Sequence, residues 1–193
     1  MLRTILEAVL FLALASGLGL LANAVHVAGI DLQKDYFPQG PLEVVPPEGD
    51  PEAESEAIRR EIEELGFQVL DTEELHQWVL DLQDPAMGLQ DTVVILDGRR
   101  RSAWEAGHVP GALSCDRYQL DRALEELEPV LRSPELMMAI IYCASRTCED
   151  ALFLARELVY ERGLLSADQV QVFLGGWQAW EEAHPELIER AEG

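Results

Sequence analysis

The chain has 193 residues and a formal net charge of −22, and setting residues 1–30 aside leaves that balance unchanged, because they carry only Arg3 and Glu7. The excess acid therefore sits on the remainder, which has room for one domain with a real core. Over a Debye length of roughly 8 Å such a surface repels nucleic acid and anionic lipid headgroups, which excludes a nucleic-acid binder. The cysteines, Cys115, Cys143 and Cys148, are too few for a disulfide framework, no C-x-x-C pair occurs, and His26, His76, His108 and His184 are scattered, so no metal site is expected.

From Ala8 to Ile30 there is no Asp, Glu, Lys or Arg. A helix over that run spans a hydrocarbon core of about 30 Å with some tilt. "ANA" at 22–24 also fits a cleavage site, but apolar character continues through Val25, Val27 and Ile30, which favours an uncleaved single-pass anchor over a signal peptide. Arg3 precedes the span and Asp31, Lys34 and Asp35 follow it, so the positive-inside rule puts the soluble part on the extracytoplasmic, periplasmic side. Ala15, Gly19, Ala22 and His26 share one helix face beside Asn23, which suits either an integral membrane partner or an interfacial position.

Residues 31–52 hold prolines 38, 41, 46, 47 and 51 without a clear period and read as an acidic tether. "PEAESEAIRREIEELGF" then predicts an amphipathic helix ended by Gly66. "FQVL" reads as a short strand, and Asp71 or Thr72 caps a helix through about Leu82, with Glu74 in its first turn. "DTVVILD" is a buried strand, followed by a polar loop and a helix around 119–131. Strand "MMAIIYC", a helix over 149–162, strand "VQVFLG" and a helix from about 176 complete the pattern, with no internal repeat. Apolar strands alternating with helices predict an α/β fold with a mostly parallel sheet covered on both faces. Such sheets collect ligands at the carboxyl ends of their strands, where Asp97 and Cys143 stand.

The segment "IIYCASRTCEDA" runs from strand to helix with Cys143 first in the loop. Loop amides turned toward the sulfur, with the positive end of the following helix, would cradle an anion. The cradle favours a thiolate over a thiol of ordinary pKa about 8.5, and would hold a persulfide anion equally well. Arg146 adds a positive charge. A packed, inert strand-end cysteine is the alternative, because free Cys behaves as a small hydrophobe.

Other stretches resemble the rhodanese (thiosulfate sulfurtransferase) superfamily. "LDGRRRSAWEAGHVPGA" at 96–112 is similar to its first signature, with Asp97, Arg99, Trp104, Gly107, His108, Pro110, Gly111 and Ala112 in the matching places. "IIYC" resembles the strand and active cysteine, and "VFLGGWQAW" the closing strand and helix start, so the resemblance covers about residues 66–182. It implies a five-stranded parallel α/β domain flanked by helices on both faces, a cysteine that carries sulfur as a persulfide, and no cofactor. The loop from Cys143 to Cys148 is similar to the six-residue sulfurtransferase loop, not to the longer phosphatase loop ending in Arg.

The departures carry expectations of their own. The loop lacks the usual internal Gly, and its sixth position is Cys148. Glu149 and Asp150 make the mouth less positive and suit a helix first turn. Ala103 stands where an acid usually precedes the aromatic, so Arg99 is expected to pair with Glu105, pointing inward while Arg100 and Arg101 are solvated. Trp177 and Trp180 are expected to pack, His108 to bond backbone, and Cys115 to pack beside the site. Direct bridging of Cys143 and Cys148 would require the cradle to open.

The sequence thus predicts a flank at 1–7, a transmembrane helix at 8–30, a tether at 31–52, a rhodanese-like domain at 53–187 and a tail at 188–193. The expected activity is a membrane-anchored sulfurtransferase with Cys143 as nucleophile, loop residues Ala144, Ser145, Arg146, Thr147 and Cys148 around it, and Asp97, Arg99 and His108 in support. Its partners would be a sulfane-sulfur donor, a thiol acceptor and an integral membrane redox protein. The alternatives are a thiol-disulfide protein with Cys148 resolving Cys143, and a non-catalytic domain that docks a membrane redox partner.

Overall fold

A computed structural model of the chain describes residues 2–25, 51–145 and 149–191. The chain divides into two units, Met1–Pro46 and Pro47–Gly193. Among the described residues of the first, helix α1 (Leu2–Val25) contains a stretch, Ile5–Asn23, long and apolar enough to cross a membrane. The helix begins ahead of the uncharged run expected at 8–30, because Arg3 and Glu7 stand one turn apart and pair at 3.0 Å. His26 and most of the expected tether lie outside the described residues. The tether's last two residues belong instead to helix α2 (Pro51–Glu64), whose leading proline is compatible with a first helical position.

The second unit is a five-stranded sheet in the order β1-β5-β4-β2-β3, parallel throughout. The strands are β1 (Gln68–Leu70), β2 (Val93–Asp97), β3 (Leu113–Ser114), β4 (Met138–Tyr142) and β5 (Val170–Phe173). Helix α3 (Thr72–Gln83) follows β1 and starts with a reciprocal capping box between Asp71 and Glu74. Further helices are α4 (Arg101–Ala106), α5 (Leu120–Leu131), α6 (Glu149–Arg156) and α7 (Gly176–Ala183). The helix expected over 149–162 widens into a π-helical turn, Glu157–Glu161, after Arg156, with Arg162 N donating to Glu157 O five residues back. The stretch expected as a polar loop after β2 contains α4 and β3. Both are too short for a periodic signal, and β3 pairs with β2 through two residues, Leu113 and Ser114.

Alternation along the strands divides the core in two. Val94 and Leu96 of β2 and Ile141 of β4 face one layer, with Ile58 and Ile62 of α2, Leu124 and Leu127 of α5, and Leu154 of α6. Val93, Ile95, Ile140 and Tyr142 face the other, with Leu75 and Val79 of α3 and Trp180 of α7. Cys143 continues the first alternation and Tyr142 the second. Neighbouring residues at the end of β4 therefore serve opposite faces of the sheet.

Candidate active site

Cys143 follows the last residue of β4, a central strand, at the carboxyl end of the sheet. The first turn of α7 holds its backbone. Trp177 N donates to Cys143 O at 2.7 Å, and Gln178 N donates to Ala144 O at 3.0 Å. Gly176 makes this approach possible. It sits at φ +61°, and a Cβ there would come within 2.8 Å of Ser145 N and 3.0 Å of Cys143 O. Ala144 is exposed and Ser145 half-buried, whereas Cys143 is only 3% exposed. Arg146, Thr147 and Cys148 lie outside the described residues.

Cys143 is disulfide-bonded in this structure. Its Sγ also lies 3.7 Å from Asp150 Oδ2, in the first turn of α6. The other carboxylate oxygen, Oδ1, accepts from Arg117 Nη2 at 2.7 Å. Asp150 is thus more than a helix first-turn acid. The missed signal was spatial: the first turn of α6 places Asp150 beside the sulfur at the end of β4.

Asp97 and Arg99 form a separate buried cluster. Arg99 donates from Nε and Nη2 to Asp97, the shortest contact being 2.6 Å, and from Nη2 to Gly107 O at 2.6 Å. Burial works against its charge, but the hydrogen bonds and charge of Asp97 outweigh that and hold the guanidinium above its ordinary value. The expected partner, Glu105, pairs with Arg101 instead at 3.4 Å. Asp97 prevails because it is fully buried and its carboxylate already receives Arg99 N at 2.9 Å. The guanidinium also stacks 4.3 Å from the Trp177 ring, while Arg100 lies over Tyr118 and Arg101 is exposed.

Tyr142, which the sequence reading passed over, completes this cluster. Its hydroxyl donates to Asp97 Oδ2 at 2.6 Å and accepts from Val109 N at 3.2 Å. Burial, then the charge and hydrogen bond of Asp97, push the phenol well above its ordinary value. Strand register would have found it, because Asp97 and Tyr142 are partners across β2 and β4. His108 Nδ1 lies 2.8 Å from Trp104 O, and its backbone bridges to Glu189. Trp180 is fully buried. Cys115 is free and fully buried, and burial followed by Asp116 and Asp97 pushes its thiol up to about 12.

The described contacts thus tie Asp97, Arg99 and His108 to the loop between β2 and β3, on the face of Tyr142. The Cys143 sulfur lies beside Asp150, on the other face. Arg99 stacks on Trp177, whose backbone N–H holds Cys143 O, so this cluster is linked to the backbone beside the sulfur.

A profile of the rhodanese-like domain matches residues 76–183. No curated protein sequence matches the chain. Among solved structures, the As-Sb reductase from Leishmania major aligns with TM-score 0.50 at 19% identity, covering 66% of this chain and 88% of its own. At that identity the likeness speaks to the fold. A thiosulfate sulfurtransferase from Pseudomonas aeruginosa aligns at 25% identity and TM-score 0.48, over 72% of this chain and 23% of its own. A rhodanese-like domain from Anabaena sp. aligns at 26% identity and TM-score 0.43, over 63% of this chain and 78% of its own.

Proposed function

The chain belongs to the rhodanese-like domain family, and from that premise we propose that it is a sulfurtransferase carrying sulfane sulfur as a persulfide on Cys143. The observation that carries the reading is the position of Cys143 within this family's fold. It stands at the carboxyl end of a central parallel strand, where the loop and the following helix begin. Once reduced, the Cys143 thiolate attacks the outer sulfur of a sulfane donor. The new bond is Cys143–S–S⁻, and the rest of the donor leaves with the electron pair of the broken S–S bond. An acceptor thiolate then takes the terminal sulfur and returns Cys143 to the thiolate. Loop amides and Arg146 are the proposed stabilisers of both anions. Asp97, Arg99 and His108 act as positioning residues.

The disulfide at Cys143 favours a second reading in which Cys148 resolves the loaded sulfur. Cys148 attacks Cys143 Sγ of the persulfide, hydrosulfide leaves, and a Cys143–Cys148 disulfide remains. A dithiol or equivalent two-electron donor must then reduce it. An integral membrane redox partner reached through α1 is the source we propose, with the domain on the extracytoplasmic side.

The test is sulfur transfer from a sulfane donor to a thiol or to cyanide. Cys143→Ser is expected to abolish it with an unchanged fold, because the side chain is nearly isosteric but its hydroxyl does not ionise near neutral pH. Retained transfer would remove Cys143 from the mechanism. Cys148→Ser is expected to load sulfur normally and, under the second reading, to lose multi-turnover sulfide release with reductant present.

A further inference from the structure

We propose that Asp150 is a charge filter at Cys143, disfavouring small anionic reactants and directing the site to donors uncharged at the attacked sulfur. The donor class rests on the sulfurtransferase reading; the effect of the carboxylate on the sulfur does not. Its geometry is specific. Arg117 Nη2 grips Oδ1 at 2.7 Å, while Oδ2 faces Cys143 Sγ at 3.7 Å. Arg117 is fixed in turn, its guanidinium 4.2 Å from the Tyr118 ring and 5.4 Å from that of Phe153, with Nη2 3.1 Å from the Tyr118 hydroxyl. Tyr118 OH lies 3.4 Å from Oδ2 itself. The ion pair is therefore oriented, and the sulfur meets its negative end.

Two consequences follow from like-charge repulsion at this range. A thiolate at Cys143 loses stability relative to a thiol that can donate to Oδ2. An approaching anion meets a carboxylate beside the atom it must reach. The filter operates on a protein already at −22, but a nearby fixed charge discriminates between reagents of one shape in a way that a diffuse surface charge, screened within roughly 8 Å, does not.

The test uses the reduced full-length protein in detergent and compares alkylation by neutral iodoacetamide with alkylation by anionic iodoacetate. Cleavage after Arg146 separates Cys143 from Cys148, so mass spectrometry reads the Cys143 peptide alone. The quantity is the ratio of the neutral to the anionic rate, which needs no sulfur transfer. Asp150→Asn is expected to lower that ratio by about fivefold, the worth of one unit charge near 4 Å in a water-like dielectric. Arg117→Gln, which strips the counter-charge, is expected to raise it. Glu149→Gln removes an equal charge from the exposed preceding residue and is expected to change it by less than about twofold. A ratio unmoved in both Asp150→Asn and Arg117→Gln, or moved in the same direction by both, would overturn the proposal. Should Asp150→Asn fail to fold, Arg117→Gln decides alone, and an unchanged or lower ratio overturns it.

Discussion

Arg99 and Asp97 share a nearly dry pocket, with Arg99 9% exposed and Asp97 fully buried. A buried pair of this kind is costly to assemble and more costly to break, because the surviving partner is left charged without compensation. Tyr142 OH also donates to the carboxylate, and the carbonyl of Gly107 also accepts from the guanidinium. Removing Arg99 would orphan a carboxylate at the end of β2, and Arg99→Ala is expected to cost about 3–5 kcal/mol of folding stability. Urea denaturation checks it; a loss under about 1 kcal/mol would mean the pair behaves like an exposed one. The inward turn of Arg99 was legible in the Asp-x-Arg spacing, but its partner was not. Glu105 looked available from sequence, whereas Asp97 wins because its carboxylate and Arg99 N already close a tight turn at 2.9 Å.

At the scale of elements, the loop after β4 and the start of α7 form one unit. The glycine pair at the start of α7 is legible in the sequence only through the resemblance, and the structure supplies the physical reason for each residue. Gly175 lies where a Cβ would meet Phe173 at 2.7 Å, and Gly176 where one would meet Ser145 N at 2.8 Å, with a left-handed φ as well. Gly176→Ala is expected to cost at least about 1–2 kcal/mol from backbone conformation alone, and more as the loop shifts. Its expected signature combines a lower urea midpoint with a changed alkylation rate at Cys143. Unchanged values for both would contradict the packing of α7 against the loop. The apolar runs of β1, β2, β4 and β5 were plain in the sequence, as was a helix around 119–131, and α5 buries Leu120, Leu124, Leu127 and Leu131. β3 escaped because two paired residues cannot show alternation. Asp150 escaped because its partners, Arg117 and Cys143, are brought to it by the fold and not by spacing along the chain.

At the scale of the whole molecule, the acidic domain and the apolar helix α1 predict different partitioning. The intact protein is expected to sediment with membranes and resist alkaline carbonate, with its amino terminus still at Met1 or Leu2. A chain beginning at Pro47 is expected in the soluble fraction, since the sheet and both core layers belong to that unit. A mature terminus at Val25 would contradict the anchor and make the protein a released one.

The most direct test of the account is the chemical state of Cys143 after exposure to sulfur. Purified protein is reduced, freed of reductant and incubated with a sulfane donor uncharged at the attacked sulfur, and its tryptic peptides are weighed. The account predicts that the peptide ending at Arg146 gains the mass of one sulfur atom, and that this gain is absent from Cys143→Ser and discharged by an acceptor thiol. A Cys143 peptide that gains no sulfur while the protein remains folded, or a gain confined to the peptide bearing Cys148, would contradict it.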